Sequence, residues 1–206
     1  MSIETTRLIT GTTQAKTNSI VTGRRALLRG AGTLGLSAAA VAVLGGCESM
    51  AASKTATAAD VDILNVALGL EHEAINAYQL GAESGLLQDP VLQVAVLFQS
   101  HHKGHRDALV ATIQKLGGKP VAEKSMNDYA AALNAGSLKS QADVLMLAAR
   151  LEKGAANAYL GVIPSFNDKG LAQVAGRLAA DETMHWTALA SALGESLPGK
   201  PLTFGA

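Results

Sequence analysis

Ionisable residues interrupt four otherwise apolar stripes in this sequence. Side chains three and four residues apart share one face of a helix. On that spacing Leu64, Ala67, Glu71, Ala74 and Tyr78 form one stripe, and Leu145, Ala148, Glu152, Ala155 and Tyr159 form a second. A third runs Val91, Val94, Phe98, His102, His105 and Leu109, and a fourth runs Leu171, Val174, Leu178, Glu182, His185 and Leu189. An unpaired charge on an inward-packing face is costly. A divalent cation offsets that cost, and carboxylate with imidazole is a donor set suited to iron, manganese and zinc. The candidate metal ligands are therefore Glu71, His102, His105, Glu152, Glu182 and His185. A metal-free cluster, with the histidines hydrogen-bonded to core carboxylates, accounts for the same residues.

Several neighbours invite weaker readings. His101 and Asp181 each precede a candidate ligand by one residue. As supporting partners they would serve the ligands, His101 a glutamate and Asp181 His105 or its neighbour, and a solvated or packing role suits them equally. His72 and Glu73 fall off the stripe and are expected at the surface. Tyr78 and Tyr159 lie two turns beyond Glu71 and Glu152, and packing with a hydrogen-bonded hydroxyl is their expected role. Trp186 reads as packing or interface.

These stripes need helices to carry them. Hydrophobic residues make up 48% of the chain and aromatics only 3%, so the apolar content is mostly Ala, Leu and Val, which suits close-packed helices. The first helix is expected over about 58–87, with Asp89-Pro90 opening the second. The second runs to about Leu116 and stops at Gly117-Gly118. The third covers about 140–164, and the fourth about 168–194. A connection of about two dozen residues, 117–139, separates the second and third, with a short helix expected over Asn127–Leu133. The fold class is all-α, a four-helix bundle with a long crossover between its two hairpins.

The hairpins repeat each other. Leu70-Glu71-His72-Glu73-Ala74-Ile75-Asn76-Ala77-Tyr78 matches Leu151-Glu152-Lys153-Gly154-Ala155-Ala156-Asn157-Ala158-Tyr159. Phe98, His102, His105 and Leu109 match Leu178, Glu182, His185 and Leu189. The polar positions align along with the apolar ones, which implies a pseudo-twofold bundle.

This pattern resembles the ferritin-like di-metal carboxylate proteins, in which two helices each give a Glu and two others each give a Glu-x-x-His. The resemblance spans about 58–194 and implies a metal centre at Glu71, His105, Glu152, Glu182 and His185, with iron or manganese as the cofactor. His102 stands where the family carries the Glu of the second helix. A neutral imidazole offers one ligating nitrogen where that carboxylate commonly bridges, so asymmetric, mononuclear and degenerate centres stay open beside a di-metal one.

The N-terminal part reads as an address. Residues 1–47 have the layout of an export signal, with a charged stretch, an apolar run and a small-residue exit. Arg24-Arg25, followed by Ala26-Leu27-Leu28-Arg29, resembles a twin-arginine signal, and Leu44-Gly45-Gly46-Cys47 resembles a lipobox. A plain cleaved signal and an N-terminal anchor helix are the alternatives. Residues 48–57 read as a flexible tether, and 58–206 as the bundle with a short C-terminal tail. The expected location is the periplasm, free or anchored to a membrane by lipid at Cys47.

Charge excludes one class of partner. Of 17 basic and 17 acidic residues, five basic ones and the acid Glu4 precede Cys47. The remainder is therefore net acidic, with no basic field for nucleic acid. A single cysteine rules out an intrachain disulfide. No Ser–His–Asp set, phosphate-binding loop or zinc-deaminase motif is present. The functions that stand are an exported metalloprotein reacting with oxygen or peroxide in envelope stress defence, a non-catalytic stress-protective bundle stapled by metal, and an interaction module without metal. The sequence admits a homodimer, and an N-terminal anchor disfavours a closed storage cage.

Overall fold

The computed structural model describes residues 42–205. The Arg24-Arg25 signal features lie outside the described residues, as does the side chain of Cys47. The described chain forms five α-helices and two 3-10 turns: α1 (Ala42–Glu83), α2 (Asp89–Lys115), α3 (Met126–Ala132), α4 (Gln141–Val162) and α5 (Lys169–Ala192). Helices α1, α2, α4 and α5 form the expected bundle, and α3 is the short helix of the crossover. Among the described residues no helix is long and apolar enough to cross a membrane.

Local sequence accounts for the boundaries. Pro90 sits in the first turn of α2, where its missing N–H costs nothing. Just past the end of α2 the chain turns at Gly117, whose φ of +78° a Cβ would strain. A Cβ at Gly118 would come within 2.5 Å of Val61, so glycine lets the turn close against α1. Ser125 and Asp128 form a reciprocal capping box on α3. Ser140 and Asp168 cap α4 and α5 with their side chains.

Helix α1 begins earlier than its periodicity predicts. Residues 48–57, read above as a tether, are helical backbone continuous with the bundle helix. No glycine or proline occurs from Cys47 to Leu68 to stop the helix.

Two apolar clusters flank the polar residues and fix the direction of each helix. One contains Leu64, Leu68, Leu109, Ile113, Tyr159 and Leu178. The other contains Tyr78, Phe98, Leu145, Trp186 and Leu189. Along α1 and α5 the chain passes from the first cluster to the second, and along α2 and α4 it passes from the second to the first. Since α2 and α4 run the same way, the crossover must travel back along the bundle, which explains its length.

The crossover is pinned to α1. Asn65 donates to the Lys119 carbonyl and accepts from the Val121 N–H, at 3.1 and 2.7 Å. Asn76 donates to Glu123 at 2.6 Å. Tyr129 and Leu133 of the crossover then pack with Ala77, Leu80, Leu147 and Leu151. One turn before Asn76, His72 is buried at 5% exposure, against the expectation of a surface residue. The crossover covers this second face of α1, which a single amphipathic stripe does not reveal. Glu73 is half-buried. In the opposite sense, Val94 and Val174 belong to the predicted stripes but are 41% and 38% exposed. Val94 stands beside an apolar cavity that leaves its side chain uncovered.

At the far hairpin, buried Asp60 of α1 accepts from the Asn167 and Asp168 N–H groups at 2.9 and 3.2 Å. The C-terminal tail returns to the bundle, where Phe204 meets Trp186 edge-on at 5.2 Å. Trp186 is thus a packing residue.

Candidate metal centre

Each bundle helix delivers its polar residues at the turn between the two apolar clusters. Glu71, His102, Glu152, Glu182 and His185 are all at most 2% exposed, and His105 is half-buried. All six candidate ligands meet at one place. His102 is central. Its Nδ1 lies 2.8 Å from Glu71 Oε2, and its Nε2 lies 3.1 Å from Glu152 Oε1. Both ring nitrogens therefore face carboxylates, one on α1 and one on α4, as the hydrogen-bonded alternative expects.

Glu182 is the second shared residue. Its Oε1 lies 3.3 Å from His105 Nδ1 and its Oε2 lies 3.3 Å from His185 Nδ1. Neither oxygen has a hydrogen-bond partner, although the residue is fully buried. His185 Nδ1 also lies 3.3 Å from Glu152 Oε2. The donor atoms fall into two groups of four, Glu71–His102–His105–Glu182 and His102–Glu152–Glu182–His185, each lying within 4.8 Å of one another. His102 and Glu182 belong to both.

The surrounding partners obey the pseudo-twofold. The Tyr159 hydroxyl donates to Glu71, and the Tyr78 hydroxyl donates to Glu152. Each tyrosine thus reaches the glutamate of the other repeat. Asp181 Oδ2 lies 3.2 Å from His105 Nε2, the partner anticipated for it. His101 departs from expectation. Its Nδ1 lies 2.9 Å from His185 Nε2 and not against a glutamate, with the two rings meeting edge to edge in nearly one plane.

The electrostatics are those of interlocked opposite charges. Burial disfavours the charged form of His102, but hydrogen bonds to Glu152 and Glu71 outweigh it and raise its pKa to about 10. His105 is likewise raised to about 10, against burial, by Glu182 and Glu71. The pKa of His185 is raised by Glu152 and Glu182 against burial. Burial opposes ionisation of Glu71 and Glu152, yet the histidines hold both below the usual carboxylate range. Glu182 behaves differently, since burial pushes its pKa up. Burial and the carboxylates they touch push both tyrosines well up. Imidazolium charge therefore balances the cluster when no metal is bound.

The profile of the ferritin-like domain family matches residues 59–195. The chain belongs to that family. Its ferritin-like span takes in every residue of the cluster, and the Glu182-x-x-His185 of α5 has its counterpart at His102-x-x-His105 of α2. Among solved structures, the chain is similar to a conserved hypothetical protein, rv2844, from Mycobacterium tuberculosis. The two are 21% identical, with a TM-score of 0.57, over 66% of this chain and 98% of that one. That likeness shows the ferritin-like fold alone. None of the curated proteins matches the chain.

The residues present fit a divalent cation. A fully buried carboxylate with no hydrogen bond at either oxygen needs positive charge beside it, which the flanking imidazoliums or a divalent cation would supply. Three carboxylates and three imidazoles offer mixed oxygen and nitrogen ligation of the kind that suits iron, manganese or zinc. A cation there would displace the imidazole protons, since only deprotonated nitrogens ligate.

Proposed function

We propose that this chain is an exported ferritin-like metal-binding protein that holds iron or manganese and reacts with oxygen or peroxide in defence of the cell envelope. The observation that carries the metal reading is Glu182, fully buried, unsatisfied at both oxygens and shared by two groups of ligand atoms. A bound redox metal would supply electron transfer to an oxygen species. Glu71, Glu152, Glu182 and the three histidines would hold it, and the tyrosines would fix the orientation of Glu71 and Glu152 through hydrogen bonds. Export through the Arg24-Arg25 signal, with a lipid anchor at Cys47 and a periplasmic location, belongs to this reading. It rests on the sequence pattern.

One observation favours a second reading, a stress-protective or interaction bundle whose centre is degenerate or holds no metal. His102 makes bonds of hydrogen-bonding length to two carboxylates at once, which a protonated imidazole satisfies without any cation. Metal analysis of protein purified from its native compartment separates the two, together with oxygen uptake when Fe(II) is added to the metal-free chain. Bound iron or manganese with oxygen consumption supports the first reading. Absence of metal, with no uptake, supports the second.

A further inference from the structure

An apolar cavity of about 300 Å³ opens beside the centre, at the bundle end where α1 and α5 finish and α2 and α4 begin. Every lining residue is apolar except Tyr78, whose hydroxyl is already committed to Glu152. Water is not a suitable filling, because an ordered water needs two to four polar partners. The space exists because small residues from three helices, among them Ala74, Ala95 and Ala148, withhold side chains that would fill it. An unfilled apolar void forfeits dispersion contacts along its walls. At its rim Pro90, Val94 and Ala188 are exposed, and at its inner end Tyr78 and Phe98 are buried. Those two touch the centre directly: Tyr78 through its bond to Glu152, and Phe98 by stacking on His185 with ring centroids 4.2 Å apart.

We propose that this cavity is a binding site for the alkyl chain of a lipid-like molecule, seated with its chain end against Tyr78 and Phe98 and its polar end at the rim. The lining dictates the chemistry. With no free donor, acceptor or charge inside, the buried part of the ligand carries no hydrogen-bonding group. The volume accommodates a chain of roughly eight to ten carbons, each taking about the 30 Å³ of a water molecule. The site stands whether or not the centre holds metal.

The test is fluorescence titration of the full-length chain with N-phenyl-1-naphthylamine, a neutral apolar probe, followed by its displacement with 1-alkanols of increasing length. The expected result is saturable binding, with displacement improving up to a chain of about ten carbons and then levelling off. Ala148→Phe and Ala95→Leu fill the cavity from two different helices, and either one, shown to be folded by circular dichroism, is expected to weaken 1-decanol binding by at least about tenfold. Leu97→Ser removes an exposed apolar side chain outside the cavity and is expected to leave binding unchanged. Three results would overturn the proposal: no saturable binding by the wild type, wild-type affinity in a folded filling variant, or loss of binding in Leu97→Ser. Displacement that keeps strengthening well past ten carbons would also overturn it, since surface adsorption grows with chain length without a limit set by a cavity. That measurement needs no variant to fold.

Discussion

The Tyr78 hydroxyl on α1 donates to Glu152 on α4, and its repeat counterpart, Tyr159 on α4, returns the bond to Glu71 on α1. The two bonds cross-link the first and third helices of the bundle on either side of the polar centre. Both hydroxyls are buried and both acceptors are carboxylates, which places these bonds in the stronger class. Tyr78→Phe and Tyr159→Phe should each cost about 1.5–3 kcal/mol of stability, the range for hydrogen bonds to charged groups. Urea unfolding of the metal-free chain measures this. By the pseudo-twofold the two losses should be similar, and a loss confined to one tyrosine would show that the halves are not equivalent.

Metal should stabilise the fold through Glu182. A ligand that binds only the native state adds about 2.7 kcal/mol at one hundred times its dissociation constant. At roughly 2–4 °C per kcal/mol for a domain of this size, Fe(II) or Mn(II) should raise the melting temperature by several degrees over chelator. Glu182→Gln keeps the shape and removes the shared anion, so the rise should vanish. Equal melting with metal and with chelator in the wild type would favour the metal-free reading.

Stability without metal should depend on pH in a defined direction. His102 and His105 ordinarily titrate near 6.5 but reach about 10 in the folded chain. A raised pKa stabilises the fold while the group is protonated. The contribution is complete below about pH 6.5 and fades as pH rises through about 10. Glu71 and Glu152, held low, contribute above their ordinary value of 4.5 and lose that contribution as pH falls. Metal-free stability should therefore peak between about pH 4.5 and 6.5 and decline on the alkaline side. Denaturant midpoints across that range check it, and His102→Gln should flatten the alkaline decline.

Metal affinity should run the other way. Binding must expel protons from His102 and His105, so it should tighten as pH rises towards 10. Calorimetry of Mn(II) binding in buffers of different ionisation enthalpy reads the released protons directly. Binding without proton release would mean that the metal does not use these histidines.

The substitution His102→Glu tests what replaced the bridging carboxylate. It gives α2 a Glu-x-x-His ending at His105 and matches Glu182-x-x-His185 on α5. Four carboxylates then balance two divalent cations in charge, whereas the wild type has three. The wild type is expected to bind fewer than two tight metals per chain and the variant to approach two, with faster oxygen uptake on Fe(II). Native mass spectrometry gives the stoichiometry. Two metals in the wild type would show that His102, which faces a carboxylate through each ring nitrogen, serves both halves of the centre.

The sequence by itself determined the helices and the polar residues they bring inward. Glu71, Glu152, Glu182 and His185 stand out because each breaks an apolar stripe, and spacing alone places a residue on a face of its own helix. Gly117 and Pro90 mark boundaries by backbone rules that hold in any fold. Spacing does not say which helix lies opposite, and there the tertiary structure decided. It sent Tyr78 and Tyr159 to each other's glutamates and placed His101 on His185 where a glutamate was expected. It also named the two carboxylates that His102 meets, Glu71 and Glu152. His72 became buried because the crossover lies on a face of α1 that carries no apolar stripe of its own. The cavity beside Phe98 was equally out of reach, since a void is made by what several helices jointly leave unfilled, and no one stretch of chain records it.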